Sequence, residues 1–163
     1  MTTELQAHWK YSEKEWNSFV TIEKANKKED NIYFGIGIVI LGTLGLMLFR
    51  STSILVGLAF SVPFAILIPF LRMKISYGHL KKGIKNPEVK IYFDKLLINR
   101  HTIELQGKHK RVKSMKIIES KNKIQLLEFN VQWLTRKGPT NDEFRIPIPK
   151  GKINEANYLV SLL

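Results

Sequence analysis

Two uncharged apolar runs dominate the pattern of hydrophobic and polar positions: residues 32–49 and residues 54–71, 18 residues each. A helix needs about 20 residues to cross about 30 Å of hydrocarbon, and each run approaches that length. Between them stands Arg50-Ser51-Thr52-Ser53, a short polar turn containing good helix N-cap residues. A turn this short returns the chain antiparallel. The pattern predicts a transmembrane helical hairpin with both termini on one side of the bilayer. The competing reading is a buried core hairpin of a soluble protein, and two adjacent uncharged runs of this length argue against it. The first run follows 31 mostly polar residues and has no small-x-small cleavage pattern behind it, so it does not read as a cleaved signal peptide.

Charge near the runs sets the orientation. Lys24, Lys27 and Lys28 precede the first run, and Arg72, Lys74, Lys81, Lys82 and Lys85 follow the second, whereas the turn offers only Arg50. Lys and Arg accumulate on the cytoplasmic side, so both polar parts are expected in the cytoplasm. Gly57, Ser61 and Ala65 recur every four residues on one face of the second run, and the first offers Gly35, Gly42 and Gly45. Small residues let helix backbones approach closely in lipid. This face is expected to pack the hairpin on itself. Pro63 and Pro69 should bend the second helix, because each removes a backbone donor and crowds the preceding turn. The absence of an ionisable residue in mid-membrane argues against a proton relay, an ion pathway or a transporter.

The polar flanks have patterns of their own. Ser12-Glu13-Lys14-Glu15 fits a capping box, which predicts a helix from about Glu13 towards the membrane. Its apolar stripe is Trp16, Phe19, Val20 and Ile22, with Trp9 and Tyr11 upstream as a staple. After the second run, Met73, Tyr77 and Leu80 fall at helical spacing, Gly83 suits a C-terminal cap, and Pro87 forbids continuation. Paired beyond the membrane, such helices would set Asp30 near Arg72 and Met73, Glu23 near Leu80 and Lys81, and Phe19 near Gly83.

From Glu88 onward the period shortens. Residues 89–93, 96–99, 102–105, 112–118, 123–129, 131–136 and 143–148 are strand-like, with breaks at 120–122 and 137–142. Ala156, Leu159, Val160 and Leu163 then form a helical stripe. The expected fold class is α+β: a two-helix transmembrane hairpin plus a small β-barrel or curved sheet closed by a C-terminal helix. The expected division is an amphipathic cytoplasmic helix in residues 1–31, the hairpin in 32–71, a helical extension and linker in 72–87, and a strand-rich cytoplasmic domain in 88–163.

Composition sharpens this picture. The 163 residues carry a net charge of +12 and no cysteine, which excludes a disulfide framework, a thiol nucleophile and Cys-based metal sites. Residues 1–31 hold five Lys/Arg and six Asp/Glu, while residues 72–163 hold twenty against eight. The basic excess therefore lies after the hairpin and suggests an anionic partner there. His8, His79, His101 and His109 are scattered, and there is no HExxH, paired-histidine spacing or P-loop. No nucleophile–base set is discernible, so no catalytic residue, metal or cofactor is expected. Gly35-Ile36-Gly37 and Gly42 echo a dinucleotide fingerprint, but they lie inside an apolar run with no strand before them.

The chain resembles the YcxB-like family of small bacterial membrane proteins, whose C-terminal part is similar to a pleckstrin-homology (PH) domain. The resemblance rests on Trp9, Tyr11, Ser12, Trp16 and Phe19, on the central hairpin, on residues 112–118, and on Ile146-Pro147-Ile148-Pro149-Lys150-Gly151 leading into a helix. It implies a PH-like cytoplasmic module on a multi-pass protein of the bacterial inner membrane, and it implies no activity. The densest basic cluster is Lys108, Lys110, Arg111, Lys113 and Lys116. In a PH-like barrel such loops meet anionic lipid headgroups; the plainer reading of the cluster is a solvated face. Aromatic residues are not interleaved as stacking platforms, so nucleic acid is not expected. Two functions follow as expectations. One is a membrane-anchored, non-catalytic binding or scaffold module whose basic domain engages anionic lipid headgroups or a protein partner. The other is a regulatory or immunity-type protein that binds another membrane protein through its hairpin.

Overall fold

The computed structural model describes residues 4–120, 122–136 and 138–162. Its elements run β1 (Leu5–Lys10), α1 (Glu13–Arg50), α2 (Ile54–Ile75), β2 (Glu88–Tyr92), β3 (Lys95–Ile98), β4 (His101–Glu104), β5 (Lys110–Glu119), β6 (Gln125–Thr135), β7 (Gly138–Pro147) and α3 (Ile153–Ser161). They form two compact units. One comprises the residues up to Phe19 and those from Gly83 onward; the other is Val20–Lys82.

The helical unit follows from the two apolar runs. Both helices are long and apolar enough to cross a membrane. The turn between them places Ser51 at φ 52°, and the Ser53 hydroxyl accepts from the Val56 amide to start α2. Large apolar side chains such as Leu41, Leu48, Phe49, Leu55 and Ile66 point outwards and are exposed. The two helices meet through small residues. A Cβ added to Gly42 would lie 2.6 Å from the Ser61 hydroxyl, and one added to Gly57 would lie 2.9 Å from Cγ2 of Thr43. A Cβ at Gly35 would come within 2.9 Å of the Ala65 carbonyl oxygen. α2 ends at Ile75 instead of running on to Lys82. Ser76, Tyr77 and Gly78 are poor helix formers, and the chain continues as turns closed by bonds from the Leu80 amide to Tyr77 and from the Lys81 amide to His79. Gly83, at φ +73°, is left-handed outside any helix, and its amide donates to Oδ1 of Asn17 at 2.9 Å.

The sheet unit is built from two antiparallel sheets, ordered β1-β2-β3-β4 and β5-β6-β7. They are not closed into a barrel, so of the two expected forms the barrel is not found. One ladder ends at β4 and the other begins at β5, and the connection between them closes on itself in a tight turn bridged from Gly107 to Lys110. β1 lies within the segment expected to be helical. It pairs with β2, Trp9 opposite Val89, although the whole hairpin is inserted between them in sequence. β6 is one continuous strand where two were expected, and β7 begins at Gly138 where a break was expected. Pro139 and the polar residues after it are tolerated because β7 is an edge strand.

The core lies on the facing sides of the strands. Trp9, Val89, Ile91, Leu96 and Ile98 from the first sheet are buried, as are Leu127, Phe129, Val131 and Ile146 from the second. α3 adds Ala156 and Leu159, both buried; Leu163 of the expected stripe lies outside the described residues. The Trp9 indole donates to Glu155 at 3.2 Å, tying α3 to β1. α1 begins at the expected capping box: the Glu15 amide donates to the Ser12 hydroxyl at 3.2 Å, and the Glu15 carboxylate accepts from the Ser12 amide at 3.1 Å. That bonding to Ser12 holds the Glu15 carboxyl below its ordinary range.

Candidate functional site

The basic segment enters β5 from the β4–β5 connection, and strand alternation there divides its five cations. Lys110 turns to one face. Its ammonium lies 3.8 Å from the centroid of the Trp133 ring and 3.2 Å from the Glu104 carboxylate. Arg111 turns to the other, where Nε and Nη2 both donate to Oε1 of Gln132, at 3.0 and 2.7 Å. In a regular strand Arg111 and Lys116, five positions apart, would point to opposite faces. The ladder, however, pairs Val112 with Val131 and Ser114 with Asn130, leaving Lys113 as the extra residue of a bulge. The bulge resets the alternation, and Lys116 joins Arg111 on the face of Gln132 and Glu128.

That face is a polar network. Glu128 is only 2% exposed, with Lys116 at 3.1 Å from one oxygen and Arg145 Nε at 2.7 Å from the other. Arg145 also donates to Glu143 at 2.7 Å. Burial pushes the Glu128 carboxyl up, but the hydrogen bonds and charges of Arg145 and Lys116 outweigh it and hold the group below the usual carboxylate range. Three of the five candidate cations, Lys110, Arg111 and Lys116, therefore have internal partners. Lys108 and Lys113 are exposed and have no partner among the described residues. They, with the outward part of Lys116, are what the cluster offers an external anion.

The internal partners Glu128, Gln132 and Arg145 were not singled out from sequence. For Glu128 and Gln132 the signal is the period-two polar series Glu128, Asn130, Gln132 along a strand otherwise filled by Leu127, Phe129 and Val131. A second feature without a local sequence signal is a cleft of about 730 Å³ at the opposite end of the sheet unit. It is lined by Lys14, Lys123 and Lys150 together with Glu15 and Glu119. Its cations come from three separate segments, so no charge run announces them.

The candidate packing residues Gly57, Ser61 and Ala65 lie against Thr43, Gly42 and Gly35 respectively. A cysteine pair at positions 43 and 57 should therefore form a disulfide readily in a chain with no cysteine of its own. Adding Gly42→Leu, which drives a side chain into Ser61, should slow that crosslink; unchanged rates would refute the close approach. Among the described residues no group of three or more His, Asp or Glu is arranged to hold a metal ion. No protein-family model, curated protein or solved structure matches the chain.

Proposed function

We propose that the chain is a membrane-anchored, non-catalytic binding or scaffold module with a cytoplasmic sheet domain, multi-pass in the bacterial inner membrane with both termini in the cytoplasm. The observation that carries this reading is the outward apolar surface of α1 and α2. Only 11% of the most apolar 18-residue window of each helix is buried, whereas the core hairpin of a soluble protein would cover most of it. The arrangement of a four-stranded and a three-stranded sheet with a C-terminal helix supports the reading of a PH-like module. The partner is anionic, a lipid headgroup or an acidic protein surface, met by Lys108 and Lys113. The alternative, a regulatory or immunity-type protein recognising another membrane protein through Gly57, Ser61 and Ala65, has less support because α1 already fills that face.

Two measurements test the proposal. Reporter fusions at the two termini should both read as cytoplasmic, and opposite locations would end the hairpin reading. Affinity capture from detergent-solubilised native membranes, with lipids and proteins both identified, should recover an anionic species that a Lys108→Glu/Lys113→Glu chain loses. Equal recovery by both chains would remove these two lysines from the site.

A further inference from the structure

The helical unit holds a trough of about 440 Å³ between α1 and α2, within the range of about 300–1,000 Å³ typical of small-ligand sites. Its walls are apolar along most of their length: Ile36 and Val39 from α1, Val62, Ile66 and Phe70 from α2. Its polar residues, Asn31 and Lys28, belong to the stretch of α1 where the uncharged run begins. Asn31 is 3% exposed, yet neither the nitrogen nor the oxygen of its amide has a hydrogen-bond partner among the described residues. A buried amide left in this state costs free energy, and native structures seldom leave one without a partner. Lys28, one turn earlier, is exposed and has no partner among the described residues. Gly35 and Pro69 shape the floor. Gly35 has no side chain, and Pro69 has no N–H for the Ala65 carbonyl that lies over Gly35.

We infer that this trough is a binding site for one anionic phospholipid, its acyl chain along Ile36, Val39, Val62 and Ile66 and its phosphate and ester oxygens on Lys28 and Asn31. The inference rests on the membrane-anchored reading above. The match is chemical at both ends. A phospholipid has one apolar chain-shaped part and one anionic, acceptor-rich part, and the trough offers apolar walls followed by an unpaired cation and an unpartnered amide donor. A second copy of the chain would bring apolar surface to the walls, but nothing in its own apolar run to neutralise Lys28, since Arg50 is the only charge between residues 32 and 71.

The test uses the full chain, delipidated in detergent and titrated with phosphatidylglycerol or phosphatidylcholine while bound lipid is counted by native mass spectrometry. One phosphatidylglycerol should be retained per chain, in preference to phosphatidylcholine. Lys28→Glu should weaken retention by about fivefold or more. Asn31→Leu should weaken it in the same direction, and Val39→Trp, which fills the trough, should reduce it to background. Circular dichroism should show unchanged helix content in all three. Equal retention of both lipids by wild type and Val39→Trp would mean bulk lipid only and would overturn the site. A dimer abolished by Val39→Trp would overturn it in favour of a second copy. Membrane fractionation of the same cells separates the two readings. A chain found outside the membrane fraction defeats the anchoring proposal itself; a chain in the membrane that retains no lipid defeats only the trough.

Discussion

Trp16→Ala should remove about 3–5 kcal/mol from the sheet unit, the larger of the two losses expected from single substitutions. Trp16 has no exposed surface, and its ring lies 5.6 Å from Tyr11 and 5.4 Å from Phe19, both themselves buried. Tyr11 in turn donates its hydroxyl to the Pro147 carbonyl at 2.8 Å, and burial pushes its phenol well above its ordinary pKa. Emptying the Trp16 site therefore costs the transfer of the indole, leaves a cavity, and loosens the Tyr11 ring that ties the segment before α1 to the end of β7. In detergent the melting temperature of the full chain, followed through the sheet signal, should fall by about 10 °C or more. Trp133→Ala, at a half-buried strand position whose ring meets Lys110, should cost clearly less. A Trp16→Ala chain melting within a degree or two of wild type would show that the cluster is not part of the cooperative core.

Trp16 also illustrates what was legible in the sequence. Its burial followed from a local capping box and a stripe at helical spacing, both of which depend on residues within one or two turns. The hairpin was legible for the same reason, since the length of an uncharged run and the brevity of the turn are local quantities. β1 was not. Leu5–Lys10 has strand character only because β2 supplies its ladder, and that partner lies beyond the whole hairpin in sequence. β7 was read short because Gly138, Pro139, Asn141 and Asp142 have low strand propensity, yet an edge position excuses them. The choice between a barrel and open sheets was not legible either: alternation shows which face of a strand is buried but does not show whether the last strand finds the first. The basic cluster suffered most. Five cations in nine residues look like one surface, and neither alternation nor the bulge at Lys113, which depends on register with β6, is visible in a charge count. Their acidic and amide partners come from β4 and β6, so the internal neutralisation was invisible too.

The second large effect is expected where that neutralisation is most complete. Arg145→Met keeps much of the side chain's length but leaves the buried Glu128 carboxylate with Lys116 alone, whose own side chain is 60% exposed. Breaking a buried pair on one side costs about 3–5 kcal/mol, because the surviving charge loses its compensation in a poorly solvated site; the partial exposure of Arg145 and Lys116 places the expectation at the lower end, about 3 kcal/mol. The double change Arg145→Met/Glu128→Leu should recover much of the loss, since removing both partners removes the stranded charge. The pH dependence has a definite sign. The folded carboxyl has its pKa below the unfolded value, so the unfolded chain binds the proton first as pH falls. The contribution of Glu128 is therefore fully present above the unfolded pKa of about 4.5 and disappears as pH falls through the lower folded value. Wild type should lose stability steeply on acidification below about pH 4.5, the double variant less steeply. Arg145→Met, whose remaining carboxylate gains from taking up a proton, should lose part of its deficit relative to wild type over the same range. Parallel stability–pH curves for wild type and the double variant would show that Glu128 is not held charged by its neighbours, and the network on the outer face of β6 would then be packing rather than electrostatics.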